Sequence, residues 1–242
     1  MGLAVGALAL VRRSVEVSRL VVHQNVAGFI LAVVGVVYAV LLAFVVIAVW
    51  QQFEAAQATS HQEAVAVGSL YRDALVQGAS GAPARRALRE YAHSVVESEW
   101  PEMAEQHRDS GQTDAALDRV WGAFRLERPA GTAEAPFHEE AVKRLHDVSE
   151  LRRTRIFESS NALPGPLWGV LIAGALITIG FTYFFGVASL RAQVLMVSAL
   201  ASIVGLALFP IVVLDLPFTG GGVGVEPAAM KGVIREFSHY AR

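Results

Sequence analysis

The chain of 242 residues contains no cysteine. This absence excludes disulfide bonds and thiol-based catalysis, although it does not identify a cellular compartment. Charge is also scarce, because Asp, Glu, Lys and Arg make up 17% of the residues whereas 54% are hydrophobic. Soluble domains carry about a quarter charged residues. The formal net charge is −2 and no basic stripe accompanies aromatic residues, which argues against nucleic acid as a partner.

Motifs for common enzyme chemistry are missing as well. The stretch GGGVG at 220–224 follows an apolar run rather than a strand and has no lysine after it, unlike a phosphate-binding loop. No Gly-x-Ser-x-Gly elbow occurs. His138, Glu139, Glu140 and His146 lack the paired histidines of a zinc helix, so a solvated helix face is favoured over a metal site. We predict no catalytic residue, no metal site and no cofactor.

The charged residues are concentrated in the middle of the chain. Residues 51–163 hold 13 Lys or Arg and 18 Asp or Glu, whereas the rest of the chain holds 7 basic and 4 acidic residues. A polar block between two apolar blocks is typical of a membrane protein with a soluble insert.

Three uncharged apolar runs are long enough to cross a bilayer, which takes about 20 residues of helix. They are Gly28 to Trp50, Leu167 to Phe185 and Val194 to Leu214. Each run is apolar around the whole helix, which favours a membrane span over an amphipathic core helix. Because only residues 186–193 separate the last two runs, we predict that they form a transmembrane hairpin.

A shorter apolar stretch, residues 1–11, begins the chain. Arg12 and Arg13 follow it rather than precede it, which argues against a signal peptide. It is either half of a helix whose start is missing or an interfacial anchor. We therefore predict an all-α, polytopic membrane protein. It has three full transmembrane helices, a partial one at the N-terminus, and a helical soluble insert between the first full span and the C-terminal hairpin.

The predicted divisions are a membrane region (1–50), the insert (51–163), the hairpin (164–214) and a tail (215–242). No break follows Trp50, so the first span is expected to continue into the insert as one helix. Asp114 is predicted to cap a third insert helix, and a last one is expected from about Phe137, after a loop at 127–136. Helical spacing predicts these core residues in the insert: Val67, Leu70, Tyr71, Ala74, Leu75, Ala84, Leu88, Tyr91, Val95, Leu117, Val120, Trp121, Phe124, Ala141, Leu145 and Val148.

Small residues recur at helical spacing in two of the spans. Such stripes allow helix backbones to approach closely in lipid, within one subunit or between subunits, and they can also line a pore. Tyr38 is the polar side chain of the first span, where it either bonds a neighbouring helix or faces a pore. No charge lies deep in a span, which argues against a proton relay. The pore or helix-interface candidates are Gly28, Ala32, Gly35, Tyr38, Ala39, Ala43, Ser198, Ser202 and Gly205.

The third span ends in LDLPFTGGGVGVEP, residues 214–227. Asp215 follows the apolar run directly, where water or headgroups can solvate it, and Pro217 cannot continue a helix. We predict a helix exit at the membrane interface, with Asp215 and Trp50 as interface anchors, and then a flexible glycine turn. Val233, Phe237 and Tyr240 share one face of the tail, which is expected to lie either on the membrane or on the insert.

Four segments together resemble the bestrophin-like family of bacterial membrane proteins. They are HQNVAGFILAVVGVVYAVLLAFVVIAVWQQFEAA, EAVAVGSLYRDA, YAHSVVESEWPEM and LDLPFTGGGVGVEPAAM. The resemblance implies an analogy to bestrophins, which are pentameric anion channels with two helical hairpins around a helical insert. It implies a multi-pass protein of the bacterial inner membrane, with the lipid bilayer, copies of itself and a small anion such as chloride as partners. No bestrophin pore or calcium-binding motif is carried over.

Two hypotheses follow for function. The first is a homo-oligomeric anion channel, whose gate is a hydrophobic constriction because the spans carry no charge. The second is a non-conducting scaffold or sensor whose insert binds a partner.

The charge distribution also predicts an orientation. Basic residues of short loops favour the cytoplasm, which places the insert outside it. Arg152, Arg153 and Arg155 argue for the opposite, as does the bestrophin analogy, but the rule is weak for segments of more than about 60 residues. The loop residues that carry this prediction are Arg12, Arg13, Arg19 and Arg191.

Overall fold

A computed structural model describes residues 24–126, 135–185, 189–219 and 223–240, and within these ranges every regular element is helical. The all-α prediction is confirmed. The α-helices are α1 Gln24–Val76, α2 Ala82–Ser94, α3 Trp100–Gln106, α4 Gly111–Leu126, α5 Ala135–Ser160, α6 Gly165–Phe181, α7 Leu190–Leu214 and α8 Ala228–Tyr240. A π-helical turn, Val95–Glu99, joins α2 to α3, and a 3-10 turn, Thr182–Phe184, follows α6.

Helix α1 is 53 residues long and runs from the first apolar span into the insert without interruption, as predicted. Beyond its last residue, Gly78 adopts the left-handed conformation (φ 64°) that glycine tolerates. The guanidinium of Arg85 donates to the carbonyl oxygens of Ala74 at 2.5 Å and Gly78 at 2.7 Å. The bond to Ala74 satisfies a carbonyl that the helix end leaves without an intrahelical partner, and the bond to Gly78 holds the turn that follows.

Prolines and short breaks set the other helix ends. Pro83 lies in the first turn of α2, and the segment from Asn161 to Pro164 separates α5 from α6, as predicted. The predicted cap is wrong: α4 begins at Gly111, so Asp114 lies inside its first turn and pairs with Arg152. Helix α5 begins at Ala135, slightly before the predicted start.

The chain forms two compact units. The membrane unit contains the described residues up to Trp50 together with Leu163–Asp215, and the insert unit contains Gln51–Ala162 together with the described residues from Leu216 onwards. Few side chains are buried in the described part of the membrane unit, and many of its large apolar residues are exposed. The buried apolar residues are Tyr38, Leu42, Val45, Val49, Leu163, Leu171, Ala175, Val197, Val204, Ile211 and Leu214.

The insert unit has a continuous apolar core. Every residue that helical spacing predicted to be buried is buried there, except Leu75 and Trp121, which are partly buried against the core. The C-terminal helix α8 belongs to this unit and packs on it, so the tail lies on the insert. Its Phe237 is buried and stacks on Tyr71 with ring centroids 3.8 Å apart.

Several predicted features lie outside the described residues. These are the N-terminal stretch 1–11, most of the loop at 127–136, the tip of the hairpin at 186–188, and Gly220, Gly221 and Gly222.

Candidate functional site

Three helical stretches of the described chain are long and apolar enough to cross a membrane. They lie within Ala27–Val76, His138–Phe184 and Leu190–Leu214. The first span carries no charge and presents many large apolar side chains outward. Phe29 is 73% exposed, Phe44 68% and Val37 65%. A single copy of the chain therefore leaves much of the apolar surface of this helix exposed. Lipid or another subunit would cover that surface.

The small-residue stripe of the first span lies largely on this uncovered face. Ala32, Ala39 and Ala43 are exposed. An added Cβ at Gly35 would meet nothing within 4 Å, whereas one at Gly28 would touch Phe185 at 3.6 Å. Most of the stripe is therefore free to receive the backbone of a neighbouring helix.

The corresponding residues of the third span are less open. Ser198 and Ser202 are half-buried, and Gly205 is exposed. The Ser202 hydroxyl donates to the Ser198 carbonyl oxygen at 2.8 Å. This bond lies within α7, so it satisfies the hydroxyl without a partner from another helix.

Tyr38 connects the first and second spans. Its ring is 5% exposed, and its hydroxyl donates to the Leu171 carbonyl oxygen at 2.9 Å. The ring packs on Gly174 of α6, where an added Cβ would overlap it. Tyr38 therefore bonds a neighbouring helix of its own chain, and the glycine makes room for the ring.

Asp215 is held by protein groups rather than left to water or headgroups. Oδ1 accepts from the Leu163 backbone N–H at 2.6 Å, and Oδ2 accepts from the Trp168 indole Nε1 at 3.1 Å. The sequence analysis expected water or headgroups at this carboxylate and did not foresee these two protein donors. Trp50, the other predicted anchor, is 52% exposed.

The segment after Asp215 is also folded more tightly than expected. Phe218 is 2% exposed and packs edge-on against Trp100, with centroids 5.4 Å apart. The Trp100 indole donates to the Val225 carbonyl oxygen at 3.1 Å. An added Cβ at Gly224 would lie 2.6 Å from the Thr219 carbonyl oxygen, so this glycine allows a close backbone approach. On either side of the undescribed glycines the segment is therefore anchored to the insert core.

The insert core contains a charge cluster that the sequence analysis missed. Arg155 and Glu99 are 0% exposed, as is Glu63. Arg155 Nε donates to Glu63 Oε2 at 2.6 Å and its Nη2 to Glu99 Oε2 at 2.7 Å. Arg152, 6% exposed, also pairs with Glu99 and reaches Asp114 at 2.6 Å. Two arginines and two glutamates thus cancel in charge inside the core.

Neighbouring groups complete this cluster. The Tyr91 hydroxyl donates to Glu63 Oε1 at 2.7 Å. Arg155 Nη1 donates to the Met103 sulfur at 3.1 Å, and its guanidinium carbon lies 5.1 Å from the centre of the Trp100 ring. The polar atoms of both arginines and both glutamates are therefore bonded, as buried charges require.

Burial and pairing shift the pKa values in this cluster. Burial lowers the pKa of the Arg155 guanidinium, but Glu63 and Glu99 outweigh it and the net pKa is raised. Burial raises the pKa of the Glu99 carboxyl, whereas Arg155 and Arg152 lower it, and the net pKa falls below its ordinary value. Burial and then Glu63 raise the pKa of Tyr91 well above its ordinary value. These directions keep Glu99 ionised, both guanidiniums charged and the Tyr91 phenol neutral.

A sequence signal for the cluster existed. Glu63 lies four residues before Val67, Glu99 four after Val95, and Arg152 four after Val148, so each charge continues an apolar stripe on its helix. Arg155 continues the same stripe of α5. Opposite charges at core positions of three helices indicate a buried ion-pair network, whereas the sequence analysis weighed Arg152 and Arg155 only for their effect on orientation.

The residues weighed as a metal site have other partners. Glu139 pairs with Lys143 at 3.7 Å and Glu140 with Arg144 at 3.4 Å. The His146 ring packs edge-on against Trp121, with centroids 4.7 Å apart. These contacts fit the solvated helix face that the sequence analysis favoured.

Apolar spans joined by a helical insert define a polytopic α-helical membrane protein. A family model for the Bestrophin-like domain matches residues 1–230, and the chain belongs to this family. The fold is similar to the crystal structure of a bacterial bestrophin homologue from Klebsiella pneumoniae that carries a point mutation. The TM-score is 0.73 at 12% sequence identity, over 99% of this chain and 98% of the other. No curated protein matches the chain.

Proposed function

We propose that this protein is the subunit of a homo-oligomeric channel that passes small anions, such as chloride, through a hydrophobically gated pore. The observation that carries the proposal is the uncharged first span, whose small-residue stripe is left open by the chain's own helices. Membership in the Bestrophin-like family supports it, since bestrophins are anion channels. By the same analogy the assembly is a pentamer.

Physical chemistry supports an oligomer. The few apolar helices of one chain cannot enclose a wet pore, so a pore requires several copies. Exposed Ala32, Ala39 and Ala43 would let helices of adjacent subunits approach closely. Large apolar side chains on the same helix, such as Phe29 and Phe44, would supply a constriction that gates by losing water.

The direct test is anion flux from chloride-loaded liposomes that contain the purified protein. We expect flux that scales with the protein-to-lipid ratio and is absent from empty liposomes. The mass of the detergent-solubilised particle is measured in parallel. A monomer would contradict the channel, and a ring without flux would favour a scaffold.

A groove on the insert supports the second candidate, a scaffold or sensor that binds a partner. It lies between α1 and α5, has a volume of about 750 Å³, and contains both charged and apolar groups. The groove is lined in part by His61, Val65, Arg144, Asp147 and Glu150. Under this proposal the groove takes a polypeptide segment, and substitution of groove residues abolishes its capture while leaving the oligomer intact.

We further propose an inner-membrane location with the insert outside the cytoplasm. The arginines of the short loops support this orientation. The structure weakens the contrary argument, because Arg152 and Arg155 are buried and paired whereas Arg153 is exposed. A single cysteine in RPAGTAEAP, residues 128–136, tests the orientation in a chain that has no other. Labelling of intact cells by an impermeant maleimide is expected, and labelling only after lysis would reverse the assignment.

A further inference from the structure

The carboxylate of Asp215 joins two ends of the transmembrane hairpin. Leu163, which donates its N–H to Oδ1, lies just before α6, and Trp168, which donates its indole N–H to Oδ2, lies in the first turns of α6. Asp215 itself directly follows the last residue of α7. One side chain therefore sets the position of the start of the second span relative to the end of the third.

Local helix energetics do not explain an acidic residue at this position. The C-terminal end of α7 carries a partial negative charge, which disfavours a carboxylate immediately after Leu214. The N-terminal end of α6 carries a partial positive charge, and both donors to Asp215 come from that end. Because Pro164 and Pro166 have no N–H group, the start of α6 offers few other donors. The carboxylate is thus held by α6 and not by the helix that it terminates.

The chain beyond Asp215 is anchored as well. Three residues further on, Phe218 is buried in the insert core and packs on Trp100, whose ring also lies under the guanidinium of Arg155. Within the membrane unit, two hydrogen bonds hold Asp215 to the start of α6.

We propose that Asp215 is a positioning residue for conduction, which holds the adjoining ends of the second and third spans in the arrangement that passes ions. This proposal rests on the channel function proposed above. Asp215 acts through Leu163 and Trp168 and touches no permeating ion in this scheme.

The test combines Asp215→Asn with Trp168→Phe. The amide of Asp215→Asn keeps one acceptor oxygen for Leu163 but presents an NH₂ donor to the indole N–H, whereas Trp168→Phe removes the indole donor. Each single variant is expected to lower chloride flux per assembled particle about tenfold, the fold-change that losing one charge-assisted hydrogen bond produces in an equilibrium. Asp109→Asn, an exposed acid of the insert, is the matched control and keeps full flux.

The double variant separates positioning from unrelated damage. Without the indole, the amide of Asp215→Asn no longer faces a competing donor, so the double variant should conduct no worse than either single variant. Multiplication of the two losses, to about a hundredfold, would overturn the proposal because it would show that the two groups act independently. Flux per particle equal to that of the unmodified protein in both single variants would overturn it too.

A second readout tests the contact between Asp215 and Trp168 separately from conduction. The fluorescence of Trp168 is obtained as the difference between the spectra of proteins with and without Trp168→Phe. Its emission maximum should shift in Asp215→Asn, because an amide replaces the carboxylate beside the indole. A shift of this emission without chloride flux in the unmodified protein would confirm the contact, but it would contradict the channel and therefore the role of Asp215 in conduction. If Asp215→Asn fails to assemble, Trp168→Phe decides alone: an assembled particle with full flux overturns the proposal, and one with reduced flux and unchanged mass supports it.

Discussion

The two units of this protein differ in how much they bury and in whether charged groups are included. The insert unit encloses a full apolar core with two arginines and two glutamates inside it, and all four charges are bonded. The membrane unit contains no charge deep in its described spans, yet it leaves many of its large apolar side chains exposed. The insert is therefore complete as one chain, whereas the membrane unit depends on lipid and, under our proposal, on other copies.

This contrast teaches where each unit is vulnerable. Removal of any single partner from a buried ion-pair network destabilises the fold, because the remaining charge stays buried without compensation. In lipid, apolar burial drives helix association only weakly, so packing of small residues and hydrogen bonds matter more. Substitutions in the insert should thus change folding, and substitutions on the open face of the first span should change assembly.

The largest effect is expected for Arg155→Met. It leaves the buried Glu63 carboxylate with only the Tyr91 hydroxyl, which should cost about 3–5 kcal/mol in the free energy of unfolding. Chemical denaturation followed by Trp100 fluorescence measures the loss. Arg153→Met, an exposed arginine of the same helix, is the control and should change stability by less than about 0.5 kcal/mol. Equal stability of the two variants would contradict the role of the cluster.

The next comparison places leucine at two glycines of different spans. Gly174→Leu should lower the thermal midpoint of the membrane unit by disturbing the Tyr38 contact, since overpacking costs about 1–3 kcal/mol. A Cβ at Gly35 would meet nothing within 4 Å, so Gly35→Leu should leave the subunit folded and break the oligomer. Particle mass and melting are measured for both. An unchanged oligomer and melting temperature for Gly35→Leu would place that face toward lipid.

A smaller effect is expected for Tyr38→Phe. The variant keeps the ring on Gly174 and removes the hydrogen bond to the Leu171 carbonyl oxygen. Bonds of this kind between membrane helices contribute about 0.6 kcal/mol on average. Thermal melting in detergent measures the change, with Tyr240→Phe on the exposed C-terminal helix as control. A loss of several kcal/mol would assign Tyr38 a role beyond this one bond.

The smallest effect is a pH dependence centred on Glu158. Burial raises the pKa of this carboxyl, and the opposing influence of Thr59 and Arg155 is too weak to cancel it. The folded protein therefore binds more protons, and stability falls as pH rises from the ordinary value of 4.5 to the raised one. Glu158→Gln should remove this loss and gain roughly a few tenths of a kcal/mol at neutral pH.

The control for this prediction is Glu150→Gln, an exposed residue of the same helix. Unfolding midpoints are compared from acidic to neutral pH. The gain of Glu158→Gln should vanish below pH 4.5, where the carboxyl is protonated in both states. Glu99 has the opposite effect on stability. Because its pKa is lowered in the folded protein, its ionised carboxyl stabilises the fold at pH values above its ordinary pKa, and this stabilisation is lost on acidification. A gain that persists in acid would contradict the assignment to Glu158.

The sequence by itself determined the helical class, the three apolar spans, the uninterrupted first helix and the core stripes of the insert. These follow from local rules: the length of apolar runs, the periodicity of a helix and the helix-breaking effect of proline. The small-residue pattern that includes Ala32, Ala39 and Ala43 is visible in the sequence. The sequence does not show whether other helices of the same chain cover these residues. That depends on which helices become neighbours.

Only the tertiary structure decided the partners of the polar groups. Asp215 and Trp168 are 47 positions apart, and Arg155 and Glu63 are 92 apart. No local pattern specifies such pairs, because a side chain at a helix end or on a core stripe can meet any element that packs against it. In the structure Asp215 accepts hydrogen bonds from the start of the second span. Arg152 and Arg155 pair with glutamates in the insert core, because a buried charge requires a partner.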